Sequence, residues 1–157
     1  MGMLEGSFIP DLYTETLRQY CRHRSSLILD SSGYINKIQK SLRITNVRLD
    51  SVLADVVGLS GKAIIEAILE GERNPQKLAN LAHNRVKKCK NEIALALTGD
   101  WREEYIFELK QSYELYQYLQ KKIQECDVEI KNNLNKESRK MREKMAKRDL
   151  TTLLLKS

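Results

Sequence analysis

From Tyr105 onward, apolar and small residues return at alternating steps of four and three. Tyr105, Leu109, Ser112, Tyr116, Leu119, Ile123, Cys126 and Ile130 follow one another with no glycine or proline between them. This is heptad spacing, which keeps one face of a helix turned toward a partner. Asp100 is a suitable N-cap and Glu103, three residues on, completes a capping box, so the pattern predicts one helix from Asp100 to about Met145. A second stripe runs through Leu17, Cys21, Arg24, Ile28, Ser31, Ile35, Ile38, Leu42, Thr45 and Leu49, less perfect at Arg24, Ser31 and Thr45. Pro10 suits the first turn of that helix, with Asp11 and Glu15 near its positive end. Gly33 inside it costs about 1 kcal/mol relative to alanine, which a long helix absorbs.

Between the two stripes the periodic pieces are short and have clear stops. Leu49 to Val57 is ended by Gly58; Ser60 is placed to cap a helix through Ile64, Ile65, Ile68 and Leu69, which Gly71 ends. Asn74 before Pro75 starts another through Leu78, Leu81 and Ala82, and a last one with Val86, Ile93, Leu95 and Leu97 runs to Gly99. The expected fold is all-α: two long heptad helices forming an antiparallel hairpin or coiled coil, with three or four short helices packed at one end. Counted from about Arg48 and about Asp100, Cys21 and Cys126 lie 27 and 26 residues from the turn. At about 1.5 Å per residue both fall roughly 40 Å along the hairpin. The pattern therefore places the two cysteines at one level, with Arg24 near Glu125 or Asp127. The expected organisation is a tail or a connection to a further domain over residues 1–10, a helical segment over 11–135 with its compact part at 49–99, and a basic helical extension over 136–157.

Composition agrees with helices: 31% of residues are charged, 6% aromatic, and only two are proline. No apolar run approaches the roughly 20 residues that span a bilayer, and the first ten residues lack the basic start and apolar core of a signal peptide. A cytoplasmic protein with no membrane contact is the expectation. Cys21, Cys89 and Cys126 are scattered and odd in number, which gives neither a disulfide framework nor a zinc cluster. His23 and His83 have no companion at ligand spacing and read as ordinary helix residues. Glu103 with Glu104, or Glu66 with Glu70, read as a helix start and a solvated face, not as a catalytic pair. No catalytic residue, metal, cofactor or small-molecule substrate is expected.

The net charge of +6 is unevenly placed. Residues 136–157 hold eight Lys and Arg against three acids, while the other 135 residues hold 19 against 18. Lys136, Arg139, Lys140, Arg142, Lys144, Lys147 and Arg148 carry this excess, and a smaller cluster, Arg85, Lys87, Lys88 and Lys90, crowds the start of a short helix. Basic faces without interleaved aromatics are commonly just solvated; a concentration of this kind also suits phosphate-backbone contact. Tyr105, Tyr113, Tyr116 and Tyr118 have helical spacing and read as packing residues before base-stacking ones. Gly58-Leu59-Ser60-Gly61, followed by Ala63 and Ala67, resembles the hairpin of helix-hairpin-helix DNA-binding motifs, whose amides grip a phosphate. It holds one residue more than the usual glycine, apolar, glycine spacing, and a tight interhelical turn with small packing residues accounts for it more simply.

The opening Gly6 to Pro10 (Gly-Ser-Phe-Ile-Pro), with the tract from Leu53 to Ile130, resembles the middle of the DEDD-type insertion-sequence transposases, the family of bridge-RNA-guided and pilin-inversion recombinases. The matching elements are Leu53 to Gly61 (Leu-Ala-Asp-Val-Val-Gly-Leu-Ser-Gly), Ala67 to Pro75 (Ala-Ile-Leu-Glu-Gly-Glu-Arg-Asn-Pro), Ala96 to Gly99 and Glu125 to Asp127. In that family a nuclease domain with four acidic residues precedes a coiled-coil segment, and a domain with a catalytic serine follows. The resemblance implies that this chain corresponds to the segment between them, with Leu153 to Ser157 resembling the lead-in to the last domain. Neither the acidic tetrad nor the serine maps onto a residue here.

Pattern and resemblance together lead to one expectation: a non-catalytic helical segment of a DNA transposase that associates protomers and helps hold guide RNA or DNA. Pairing in a homodimer or higher homo-oligomer would fall to Ile28, Ile35, Ile38 and Leu42 on one stripe, and to Leu109, Tyr116, Leu119, Ile123 and Ile130 on the other. The two basic clusters would meet phosphates. The alternative is a structural helical module that associates with itself or a protein partner and binds no nucleic acid.

Overall fold

The computed structural model describes residues 11–156, so the expected tail over residues 1–10 and the first-turn role of Pro10 lie outside the described residues. The described residues form six helices and no strand: α1 (Leu12–Ile44), α2 (Leu49–Val52), α3 (Leu59–Glu70), α4 (Pro75–Asn80), α5 (Lys90–Ala96) and α6 (Glu103–Lys156). The long N-terminal helix α1 packs against the long C-terminal helix α6, as the two stripes require. The chain divides into two compact units, one of residues 11–28 with 121–156, the other of residues 29–120.

The second unit holds the main core. Ile38 and Leu42 of α1, Ile64, Ile65 and Ile68 of α3, Leu78 of α4, Ile93 of α5 and Leu109 of α6 are all buried to 2% exposure or less. Apolar area removed from water at roughly 25 cal/mol per Å² drives this assembly. Polar contacts join elements inside the unit, while the buried Ser41 hydroxyl has no hydrogen-bond partner among the described residues. Gln120 Nε2 donates to Ser31 Oγ at 2.7 Å, and the Tyr113 hydroxyl donates to Glu66 Oε1 at 2.7 Å. Tyr113 is buried beside the expected seam residue Ser112, so the inward face of α6 is wider here than a strict heptad stripe.

The other unit is built from the outer parts of the two long helices. Ile123 and Cys126 are its buried residues, and Arg24 Nε contacts Asp127 Oδ1 at 2.5 Å. That carboxylate pushes the Arg24 pKa further up, and Cys126 and Cys21 both lie close enough to add to the effect. Arg24 thus sits beside Asp127, one of the two partners expected from the register, with both cysteines in its neighbourhood.

Helix boundaries differ from the expected ones where local hydrogen bonds take over. The first stripe predicts helix through Leu49, but α1 stops at Ile44. Asn46 adopts φ 60°, and the amides of Asn46 and Val47 donate to the carbonyls of Arg43 and Leu42. This is a Schellman stop, closed by apolar contact between buried Val47 and Leu42. Asp11 accepts from the Thr14 amide at 2.8 Å and caps the other end of α1. The piece expected over Leu49 to Val57 shrinks to the single turn α2, because Leu53 is extended and Asp55 captures the Val57 and Gly58 amides.

Asp100 does not cap α6. Its amide donates to the Thr45 carbonyl at 2.7 Å and its carboxylate pairs with Arg102, so the helix begins at Glu103 and continues to Lys156, beyond the expected Met145. Ser60 does not cap α3 either, which starts at Leu59 behind Gly58. By contrast Asn74 caps α4 as expected, its side chain accepting from the amides of Gln76 and Lys77 with Pro75 in the first turn. Gly71, at φ 109°, ends α3 as expected, and Arg73 reaches back to the Ile68 carbonyl while lying over the Trp101 ring.

Candidate nucleic-acid interface

Gly61 fixes how the chain enters α3. A Cβ at this position would lie 1.8 Å from the Val56 carbonyl oxygen, so only glycine permits the turn from residues 53–58 to fold against the first turn of the helix. The close approach is what the simpler reading of Gly58 to Gly61 requires, a tight interhelical turn. Leu59 stands out from that first turn, 86% exposed. Ser60, released from capping, turns its hydroxyl to residue 83: Ser60 Oγ accepts from the His83 amide at 2.8 Å.

This bond ties the start of α3 to the loop over residues 83–89. Within the loop the Val86 amide donates to the His83 carbonyl at 3.0 Å, and the Arg85 amide donates to His83 Nδ1 at 3.1 Å. His83 is therefore a loop anchor, not the helix residue expected, and Val86 likewise lies in the loop, before α5. The signal that was missed is the pair Ser60 and His83, 23 residues apart, which no local pattern joins.

The loop and the α3 start, together with residues 50–55, enclose an open cleft of about 600 Å³ in the second unit. Val52, Leu53, Ala54, Leu59 and Val86 supply its apolar lining; Arg85, Lys87 and Lys88 supply its cations. These three cations are exposed and none has an ion-pair partner among the described residues. The two carboxylates of the cleft are differently placed. Asp50 is paired with Arg43, and Asp55 accepts from the Val57 amide. The start of α3, a helix of 12 residues, contributes Leu59 and Ser60 to the lining and adds the positive potential of a helix N-terminus. The net result is a concave, largely apolar surface carrying unpaired positive charge.

The remaining expected binding residues are elsewhere. Lys90 is the first residue of α5 and is exposed, outside the cleft lining. Lys136, Arg139, Lys140, Arg142, Lys144, Lys147 and Arg148 are all exposed on α6 in the other unit, without an ion-pair partner among the described residues. Of the residues expected to pair protomers, Ile38, Leu42, Leu109 and Tyr116 lie in the core of the second unit, with Ile35 and Leu119 half-buried there. Ile123 is buried and Ile130 half-buried in the other unit, while Ile28 is 38% exposed. Much of the seam is thus already covered within one chain.

Among the described residues no group of three or more His, Cys, Asp and Glu is arranged to hold a metal ion, and no helix is long and apolar enough to cross a membrane. Compared with protein-family models, with curated proteins and with solved structures, the chain has no match.

Proposed function

We propose that this chain is a non-catalytic helical segment of a DNA transposase of the DEDD type, acting in the cytoplasm, where it associates protomers and holds nucleic acid through phosphates. The observation that carries the nucleic-acid half is the cleft: Arg85, Lys87 and Lys88, without ion-pair partners among the described residues, line a concavity that the Gly58 to Ser60 turn also lines. The family assignment is supported by the residues from Leu53 to Pro75 that resemble the transposase pattern. Filter binding of the chain to RNA and to duplex DNA across a salt series tests the reading. Affinity that falls steeply with salt is expected; no retention at the lowest salt would remove the nucleic-acid half.

The second reading, a self-associating structural module, is favoured by a different feature. Leu29, Leu115 and Tyr118 are 74%, 44% and 57% exposed around Gly33, in a shallow groove of the second unit. Both readings expect self-association in sedimentation equilibrium, so filter binding separates the two: self-association without nucleic-acid binding supports the structural module alone.

A further inference from the structure

Phosphate attraction alone does not explain the shape of the cleft. A duplex offers a convex backbone with its bases stacked inside, and it would meet Arg85, Lys87 and Lys88 while leaving the apolar lining in water. A single strand offers a phosphate together with an unstacked base, and the cations and the apolar lining then both find a complement. The volume of about 600 Å³ falls within the roughly 300–1,000 Å³ of ligand-sized sites.

We infer that the cleft takes one nucleotide of a single strand, its phosphate on Arg85, Lys87 and Lys88 and its base against Leu59, Val52 and Val86. The inference rests on the nucleic-acid reading above and narrows it. The Asp50 and Asp55 carboxylates are engaged by Arg43 and by the Val57 amide, which limits their repulsion of the incoming phosphate. The lining holds no Phe, Tyr or Trp, and its one ring is the His83 imidazole, whose Nδ1 accepts from the Arg85 amide. The base is therefore gripped mainly by apolar contact, and the site tolerates different bases. Leu59, 86% exposed, has apolar surface to lose to a bound base.

The test is fluorescence anisotropy with the full chain and three probes: a short mixed-sequence single strand, the same strand with abasic positions, and the matching duplex. Far-UV circular dichroism checks that each variant stays helical, which is expected because every substituted residue is exposed. The intact single strand should bind more tightly than either other probe. Lys87→Glu combined with Lys88→Glu should weaken it by roughly tenfold or more and flatten the salt dependence. Leu59→Ser should weaken the intact strand by about fivefold and leave the abasic strand unchanged. Equal binding of strand and duplex, indifferent to Leu59→Ser, would overturn the inference while leaving the nucleic-acid reading in place. Binding lost with Lys140→Glu and Lys147→Glu, but kept in the cleft variants, would do the same. No binding of any probe at low salt would overturn both.

Discussion

Arg24 on α1 and Asp127 on α6 meet across 103 residues of sequence, guanidinium Nε to carboxylate Oδ1. Another polar contact between the two helices, Ser31 with Gln120, comes seven residues later on α1 and seven earlier on α6. Each helix advances by one heptad between contacts, so the antiparallel register is kept. Both members of the ion pair are substantially exposed, and the pair serves alignment more than stability. Arg24→Asp and Asp127→Arg should each lower the melting temperature slightly, and the double reversal should recover most of that loss. Thermal melts at low and high salt check this; the recovery should shrink as salt screens the pair.

Two glycines predict opposite outcomes for one substitution. Gly61→Ala drives a Cβ into the Val56 carbonyl and should destabilise by at least the ~1–3 kcal/mol typical of overpacking. Gly33→Ala meets nothing within 4 Å in the middle of α1 and should stabilise by about 0.4–1 kcal/mol. Urea denaturation of the two variants measures both signs.

The stop at the end of α1 depends on Asn46 in the left-handed region. Asn46→Gly should leave stability unchanged or raise it, whereas Asn46→Val should cost about 1–2 kcal/mol, since a branched side chain resists that conformation. Denaturant midpoints of the pair test the stop without altering any buried side chain.

Burial, and then the hydrogen bond to Glu66, push the Tyr113 phenol well above its ordinary pKa near 10. A folded pKa raised above the unfolded one gives stability that is complete below the unfolded value and lost as pH rises through the folded one. Stability should therefore begin to fall above about pH 10, by up to about 1.4 kcal/mol per pH unit from this group. Tyr113→Phe should be less stable near neutral pH yet show a shallower alkaline decline. Denaturation midpoints between neutral pH and pH 11 follow both effects.

The long helices and their register were legible because heptad spacing repeats for many turns, so that Leu109, Tyr116 and Ile123 identify a face before any contact is known. Helix ends were less legible. Asp100 and Ser60 have the right chemistry for caps, but each is drawn into a longer-range bond, to Thr45 and to His83, that local spacing does not encode. The cleft shows the same limit. Its halves, Gly58 to Ser60 and Arg85 to Lys88, were both visible as separate signals, and only the fold of α3 and α4 brings them together. Tyr113 reads as a packing residue from its helical spacing and is buried, but its neighbour Ser112 fits the narrower stripe, so the pattern does not show that the face widens to hold both.

The most direct measurement is to photocross-link the full chain to a short single strand carrying 4-thiouridine and to map the adducts by mass spectrometry. Adducts are expected in peptides containing residues 52–60 and 83–88. Adducts confined to residues 136–156 under conditions where the strand is bound would contradict it.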